Sequence, residues 1–464
     1  MADFFPAQLL NIVFTLNMFL VVLVVIFERR KPSSTMAWLL ILFFMPLAGF
    51  FLYLFLGQDL RRQRLFHLKA NEEHLFFQEL IHQEQNFVKK ARLSAEPIIL
   101  WQSNLVRMNF RSGSLLFWNN DVKLFHDGKS LFKDILHQIK QAEHFIYLQS
   151  YIFADDNLGN EVMDLLISKA QEGVDVRVLY DGMGCMKVPN IFFQRLEAAG
   201  GKTAEFFPPF LPYINLRINF RNHRKILIID GIYGYIGGFN IGDEYREVTP
   251  QYGFWRDTHI KLQGEAIHQL ELRFLMDWRY ASKEDEITLS SKSWYICKNN
   301  KACGNIPVQI ISSGPDSVFK SIHGAYLKLI STARESIYIQ TPYFVPDESI
   351  FKALQNAGLS GVDVRIMIPR RPDHPFVLPC AFSYMGELLP ANVHFYLYDK
   401  GFLHSKIVIV DGQVASVGSA NMDIRSFELN FESNAIIYSE KIALELQKAF
   451  CHDIKDCHHL TIEE

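Results

Sequence analysis

The sequence predicts an α/β protein made of two similar sandwich-like halves related by a pseudo-twofold axis and preceded by an N-terminal transmembrane helical hairpin. Three observations predict it. Two long uncharged segments open the chain, a strand–helix–strand pattern occurs twice in the remainder, and one polar motif is repeated at identical offsets in both copies.

The hairpin comes first. Phe4 to Phe27 holds no charged residue, and a second uncharged stretch runs from Pro32 to Gln58, with Met36 to Leu56 almost wholly apolar. Each meets the roughly 20 residues a helix needs to cross a bilayer. Glu28-Arg29-Arg30-Lys31 between them is a charged turn that hydrocarbon excludes, and Pro46 is a kink position. The Met1-Ala2-Asp3 leader lacks the positive charge of a signal peptide, so residues 1–60 read as an anchor. Arg61, Arg62, Arg64 and Lys69 against Arg29, Arg30 and Lys31 lean toward a cytoplasmic catalytic part under the positive-inside rule. Residues 61–114, charged and poor in Gly and Pro, read as a connecting helical region.

Composition narrows the function. A chain of 464 residues exceeds what one core usually serves. A formal charge of -3 supplies no broad field for polyanions, which disfavours a nucleic-acid partner. The abundance of Phe and Tyr suits a chain that meets lipid headgroups, although ordinary core explains most of it. The six cysteines are scattered and form no dense framework, and Cys451, His452, Cys457, His458 and His459 match no zinc spacing, so a helical terminus is expected there and no metal.

The repeat sets the architecture. Phe145 to Tyr151 is echoed by Ser336 to Tyr343, both strand-like, and each follows an amphipathic stretch, Ser130–Glu143 or Val318–Glu335. Further along, Gly173-Val174-Asp175-Val176-Arg177 recurs as Gly361-Val362-Asp363-Val364-Arg365. These place one half at 115–295 and the other at 296–464, with the boundary in the Ser-, Lys- and Asn-rich stretch near Ser290 to Ile306.

The chemistry sits late in each half. His223, Lys225, Asp230, Gly238 and Asn240 recur as His404, Lys406, Asp411, Ser419 and Asn421. Residues two apart on a strand share a face, so each imidazole projects with an ammonium, while Asp230-Gly231 and Asp411-Gly412 are hairpin-type turns. Any of these residues alone is more often structural. Their duplication inside a duplicated fold points to one cleft holding two His, two Lys and two Asn, suited to the oxygens of a phosphate, with lysines supplying the charge a metal would otherwise bring. The small residues at 238 and 419 permit close approach of a ligand.

On these residues the sequence resembles the phospholipase D superfamily, from about residue 115 to 464. Arg30 to Trp38, Trp255 to His259 and Asn421 to Phe427 are similar to its bacterial cardiolipin synthase branch. The resemblance implies catalysis by His223, Lys225, Asp230, His404, Lys406 and Asp411, with no cofactor. One imidazole attacks phosphorus and the other is acid then base, His223 and His404 by analogy or the reverse. Glu244 and Glu432 are candidates for orienting the imidazoles, and Asn240, Asn421, Gly238 and Ser419 for binding substrate. It further implies a multi-pass bacterial inner-membrane enzyme that transfers a phosphatidyl group between two phosphatidylglycerol molecules. Hydrolysis, another acceptor alcohol, a membrane-tethered nuclease and a vestigial scaffold are the competing readings, and oligomeric state is left open. Two apolar, Pro-bearing stretches, Phe206 to Tyr213 and Phe376 to Phe382, are candidates for an acyl-chain passage.

Overall fold

The computed structural model describes residues 97–208, 219–246, 249, 251–284, 304–317 and 319–463, with shorter stretches between residues 12 and 85. The chain divides into two compact units, residues 1–62 with 208–220, and residues 63–207 with 221–464.

In the first unit a helix spans Pro32–Phe44 and carries no acidic or basic residue in its end turns. The Trp38 and Tyr53 rings meet edge-on at 5.2 Å, while Phe43 and Phe44 are exposed. Among the described residues no helix is long and apolar enough to cross a membrane. Most of the two expected spans lies outside the described residues, as does most of the segment 61–96.

The second unit holds the two halves. The first is a sheet of seven strands in the order Asn120–Phe125, His259–Gly264, Tyr233–Gly237, Ile226–Ile229, Phe145–Ser150, Asp175–Asp181, Lys202–Phe206. The second repeats that order with Val308–Ser313, Asn430–Tyr438, Val414–Gly418, Ile407–Val410, Ser336–Gln340, Asp363–Pro369 and Val393–Tyr398. The parallel and antiparallel pairings also repeat. The echoed segments of the sequence are thus equivalent strands, each buried on both faces by helices. The stretch expected to be helical before the first strand forms Gly128–Lys140, where the Asp127 carboxylate caps the Ser130 N–H at 2.8 Å. Its counterpart is Ser321–Thr332.

Two departures from expectation concern edges. Leu116–Phe117 pairs with Val308–Ser313 of the second sheet. The C-terminal tail leaves its helix at Asp453, and Cys457–His459 forms a strand on Val393–Tyr398, covering an edge that would otherwise be open.

The halves are bound by a reciprocal exchange. Arg221–Asn222 of the first half runs parallel to Asn430–Phe431 of the second, and Gly401–Leu403 of the second runs parallel to Phe254–Arg256 of the first. Beside the first exchange, Arg224 is almost fully buried. Its guanidinium donates to Asp277 at 2.6 Å, to the Ser313 carbonyl at 3.1 Å and to the Glu432 carbonyl at 3.2 Å. Because adjacent side chains in extended chain point to opposite faces, the residue between His223 and Lys225 faces away from them and fastens the second half to the helix Ile267–Ser282. Arg224→Ala removes a cation from a buried carboxylate, and a loss of about 3–5 kcal/mol in unfolding free energy is expected by chemical denaturation. A loss below about 1 kcal/mol, the usual value of an exposed pair, would contradict this clamp role.

Candidate active site

The exchanged strands build the site by their register. Asn430 lies opposite Arg221 and Phe431 opposite Asn222, so the next step brings Glu432 beside His223. Phe402 lies opposite Trp255 and Leu403 opposite Arg256, so the next step brings Asp257 beside His404. The His223 N–H donates to the Phe431 carbonyl at 2.9 Å and the His404 N–H to the Arg256 carbonyl at 2.7 Å. Each imidazole therefore meets a carboxylate of the opposite half. His223 Nδ1 is 3.0 Å from both Glu432 oxygens, and His404 Nδ1 is 2.7 Å from Asp257 Oδ2.

A carboxylate only accepts, so Nδ1 carries the proton and Nε2 keeps its lone pair for chemistry. Burial, reinforced by the Lys406 charge, takes His404 down to about 3 against the pull of Asp257. Burial likewise lowers His223, with Glu432 opposing it. Burial works against ionisation of both acids, yet Lys406 and His404 hold Asp257 below the usual carboxylate range, and His223 and Lys225 do the same for Glu432.

Both carboxylates are themselves held. Glu432 accepts from the Ser419 hydroxyl and from Asn430 Nδ2 at 3.1 Å. Asp257 accepts from the Thr258 N–H at 2.7 Å and packs so tightly on Gly238 that a Cβ there would lie 2.0 Å from its Oδ1. The small residues expected at 238 and 419 to admit a ligand thus accommodate these acids: Gly238 leaves room for one and Ser419 hydrogen-bonds the other.

The two lysines complete the cluster. Lys225 Nζ donates to the His223 carbonyl at 2.7 Å, and Lys406 Nζ donates to the His404 carbonyl. Burial pushes Lys225 down to about 7 and Lys406 down to about 8, and each ammonium also repels the other or the opposite imidazole across the halves. One field therefore joins both motifs. An anion bound there would restore the lysine protons. Sulfate, whose charge is constant over the range, is expected to bind at least about tenfold more weakly at pH 9 than at pH 7, because above the depressed lysine pKa values binding requires proton uptake. Competitive inhibition by sulfate measured across that range checks it, and a flat profile would contradict it.

The remaining candidates sit differently. Asp230 and Asp411 lie at the far ends of the strands Ile226–Ile229 and Ile407–Val410, about 13 Å of strand from the His-x-Lys segments. Asp230 accepts the N–H groups of Glu143, His144 and Phe145 at 2.8–2.9 Å. Asp411 accepts those of Arg334, Glu335 and Ser336 at 2.8–2.9 Å. Both have positive φ, followed by a positive-φ glycine, which fits the expected hairpin turn. The geometry gives them an anchoring role and brings neither to the imidazoles. Asn240 receives the Ile152 N–H at 3.2 Å and donates to the Tyr245 hydroxyl at 3.2 Å, while Asn421 Oδ1 is buried with no hydrogen-bond partner among the described residues.

Glu244, expected as an orienting acid, bonds Tyr245 and faces Asp156 and Asp373; the partner of His404 is Asp257. Sequence reasoning missed Asp257. Its signal was faint: an acid follows each motif asparagine, but as Asp257 just before the strand His259–Gly264 in one half and as Glu432 within the strand Asn430–Tyr438 in the other, at unequal spacing. Among the described residues no group of three or more His, Cys, Asp or Glu is arranged to hold a metal ion. The Phe376–Phe382 stretch begins a helix, Val377–Leu388, with Phe376 exposed, and most of Phe206–Tyr213 lies outside the described residues.

Known proteins resemble the chain over nearly its whole length. A family described as "Cardiolipin synthase, PLD-like domain" matches residues 135–278 and 326–454, and "Phospholipase_D-nuclease N-terminal" matches residues 16–58. The chain is 45% identical to the major cardiolipin synthase ClsA of Bacillus subtilis, over 98% of this chain and 94% of that protein. It is 43% identical to the cardiolipin synthase of Listeria innocua, over 98% and 94%. Among solved structures, the phosphatidylserine synthase of Haemophilus influenzae aligns over 79% of this chain and 92% of that chain with a TM-score of 0.60 at 16% identity, a likeness of fold.

Proposed function

The chain belongs to the PLD-like cardiolipin synthase family, and on that premise we propose that it joins two phosphatidylglycerol molecules into cardiolipin and glycerol. The observation that carries the mechanism is the pair of imidazoles, each fixed through Nδ1 by a carboxylate of the other half, around two buried lysines.

One Nε2 attacks the phosphorus of the first phosphatidylglycerol. A P–N bond forms, the P–O bond to the head glycerol breaks, and the second imidazole, which enters the step with a proton on Nε2 taken up as the anionic phosphate binds, gives that oxygen this proton. The hydroxyl of the second phosphatidylglycerol then loses its proton to the same imidazole and attacks phosphorus. A P–O bond forms, the P–N bond breaks, and both imidazoles return to their starting states. Lys225 and Lys406 face the non-bridging oxygens, where negative charge concentrates in both transition states. His223, Lys225, His404 and Lys406 carry the chemistry in this reading, Asp257 and Glu432 orient the imidazoles, and Asp230 and Asp411 hold the strands. The roles of Asn240 and Asn421 are contacts to the headgroup.

We read residues 1–60 as two membrane-spanning helices, 61–114 as a connector, and 115–295 and 296–464 as the two catalytic domains about a pseudo-twofold axis, in a multi-pass protein of the bacterial inner membrane with its catalytic part on the cytoplasmic side. The uncharged opening segments and the family match over residues 16–58 support the anchor. Incubating the full chain in phosphatidylglycerol vesicles tests the activity. Cardiolipin and glycerol in equal amounts are expected, whereas phosphatidic acid as the main product would replace the synthase reading with a hydrolytic one.

A further inference from the structure

The two motifs repeat residue for residue at the reacting centre, and then the symmetry breaks at its rim. Two residues before each catalytic histidine stand Arg221 in one half and Phe402 in the other, and four residues after each motif asparagine stand Arg425 and Glu244. One flank of the site is therefore basic while the other is aromatic and acidic. On the His404 flank, Trp255 and Phe402 lie 5.1 Å and 5.9 Å from the imidazole, and Glu244 faces Asp156 and Asp373.

On the His223 flank, the Tyr151 ring meets the imidazole edge-on at 5.0 Å and receives the Lys225 ammonium at 5.2 Å. Arg221 hydrogen-bonds Tyr151, and Arg425 faces Arg221, Tyr151, Asp423 and Asp181. The two guanidiniums are thus gathered around one tyrosine that touches the catalytic histidine. Their positions are fixed by the fold. Arg221 is on the exchanged strand, and Arg425 is on the short helix Ile424–Glu428, capped by the Asp423 carboxylate on the Ser426 N–H at 2.6 Å. Asp181, behind Arg221, is occupied by the N–H groups of Asn222, Met183 and Gly184 at 2.7–2.9 Å. Arg425 is exposed and Arg221 half-buried, so solvent reaches both while two like charges stand together.

We propose that Arg221 and Arg425, with Tyr151, form a second phosphate subsite that holds the phosphodiester of the acceptor phospholipid while its terminal hydroxyl attacks. This rests on the synthase reading and adds how an anionic lipid alcohol prevails over water. The two phosphates of the product are separated by one three-carbon bridge, so an acceptor has its own phosphate close beside the reacting one. Paired guanidiniums match a phosphodiester in charge and in donor geometry. The opposite flank, with Glu244, would repel it, which gives the acceptor a single direction of approach.

The test separates the two half-reactions in phosphatidylglycerol vesicles. Labelled glycerol exchanging into phosphatidylglycerol reports formation and reversal of the covalent intermediate, which needs no second lipid. Cardiolipin formation reports transfer to the anionic acceptor. Arg425→Ala and Arg221→Ala are each expected to lower the ratio of cardiolipin formation to glycerol exchange at least tenfold, with phosphatidic acid rising. Arg221→Lys, which keeps the charge and loses the fork, is expected to fall between. Exchange also serves as the folding control. A parallel fall in both rates in the alanine and lysine variants, or an unaltered ratio, would overturn the subsite. Wild-type protein that exchanges glycerol but makes no cardiolipin would instead overturn the synthase reading.

Discussion

His223→Ala and His404→Ala are each expected to reduce cardiolipin formation by about 10³- to 10⁴-fold, measured as the initial rate from phosphatidylglycerol. Loss of either imidazole removes the covalent carrier or the group that moves the proton, and both half-reactions need both. The double variant should be little slower than the slower single one, because residues that act as a unit do not contribute additively. A covalent phosphatidyl-enzyme trapped by a denaturing quench at neutral pH is expected to survive in only one of the two single variants, which identifies the attacking histidine. Residual rates within tenfold of wild type in both variants would remove the paired-histidine mechanism.

The second large effect is expected at the acids. Asp257→Asn keeps the size of the side chain but presents an amide that can donate to His404 Nδ1, moving the ring proton to Nε2 and blocking its lone pair. A comparable exchange in a hydrolase triad costs about 10⁴-fold, and about 10²- to 10⁴-fold is expected here for Asp257→Asn and for Glu432→Gln. Burial makes the loss sharper, since both carboxylates are fully enclosed and already bonded to a neighbouring donor. Glu244→Gln should stay within about twofold of wild type for turnover. The reverse result, with Glu244 more sensitive than Asp257, would return the orienting role to the residue the sequence suggested.

How far the sequence reached depended on whether a signal was local or reciprocal. The strand before each motif, the Asp-Gly turns and the duplicated His and Lys were legible because each is a short-range pattern that occurs twice. The repeat announced two similar α/β halves, although not the order of their strands. The partner of His404 was not legible, because it lies 147 residues away in the other half and is reached only through a two-stranded exchange that no periodicity announces. Glu244 was attractive for being near its motif in sequence, but the imidazoles take their carboxylates from across the interface. The catalytic reading of Asp230 and Asp411 likewise followed the motif pattern, whereas their oxygens are occupied by three backbone N–H groups each.

The reciprocal exchange of short strands makes reactivity a report on assembly. Neither half owns both members of a catalytic imidazole–carboxylate pair, so a chain whose halves have folded but not docked carries His223 and His404 without their orienting acids. A half produced separately would have to borrow its acid from a second molecule. The strands that join the domains are therefore also what completes each catalytic imidazole–carboxylate pair.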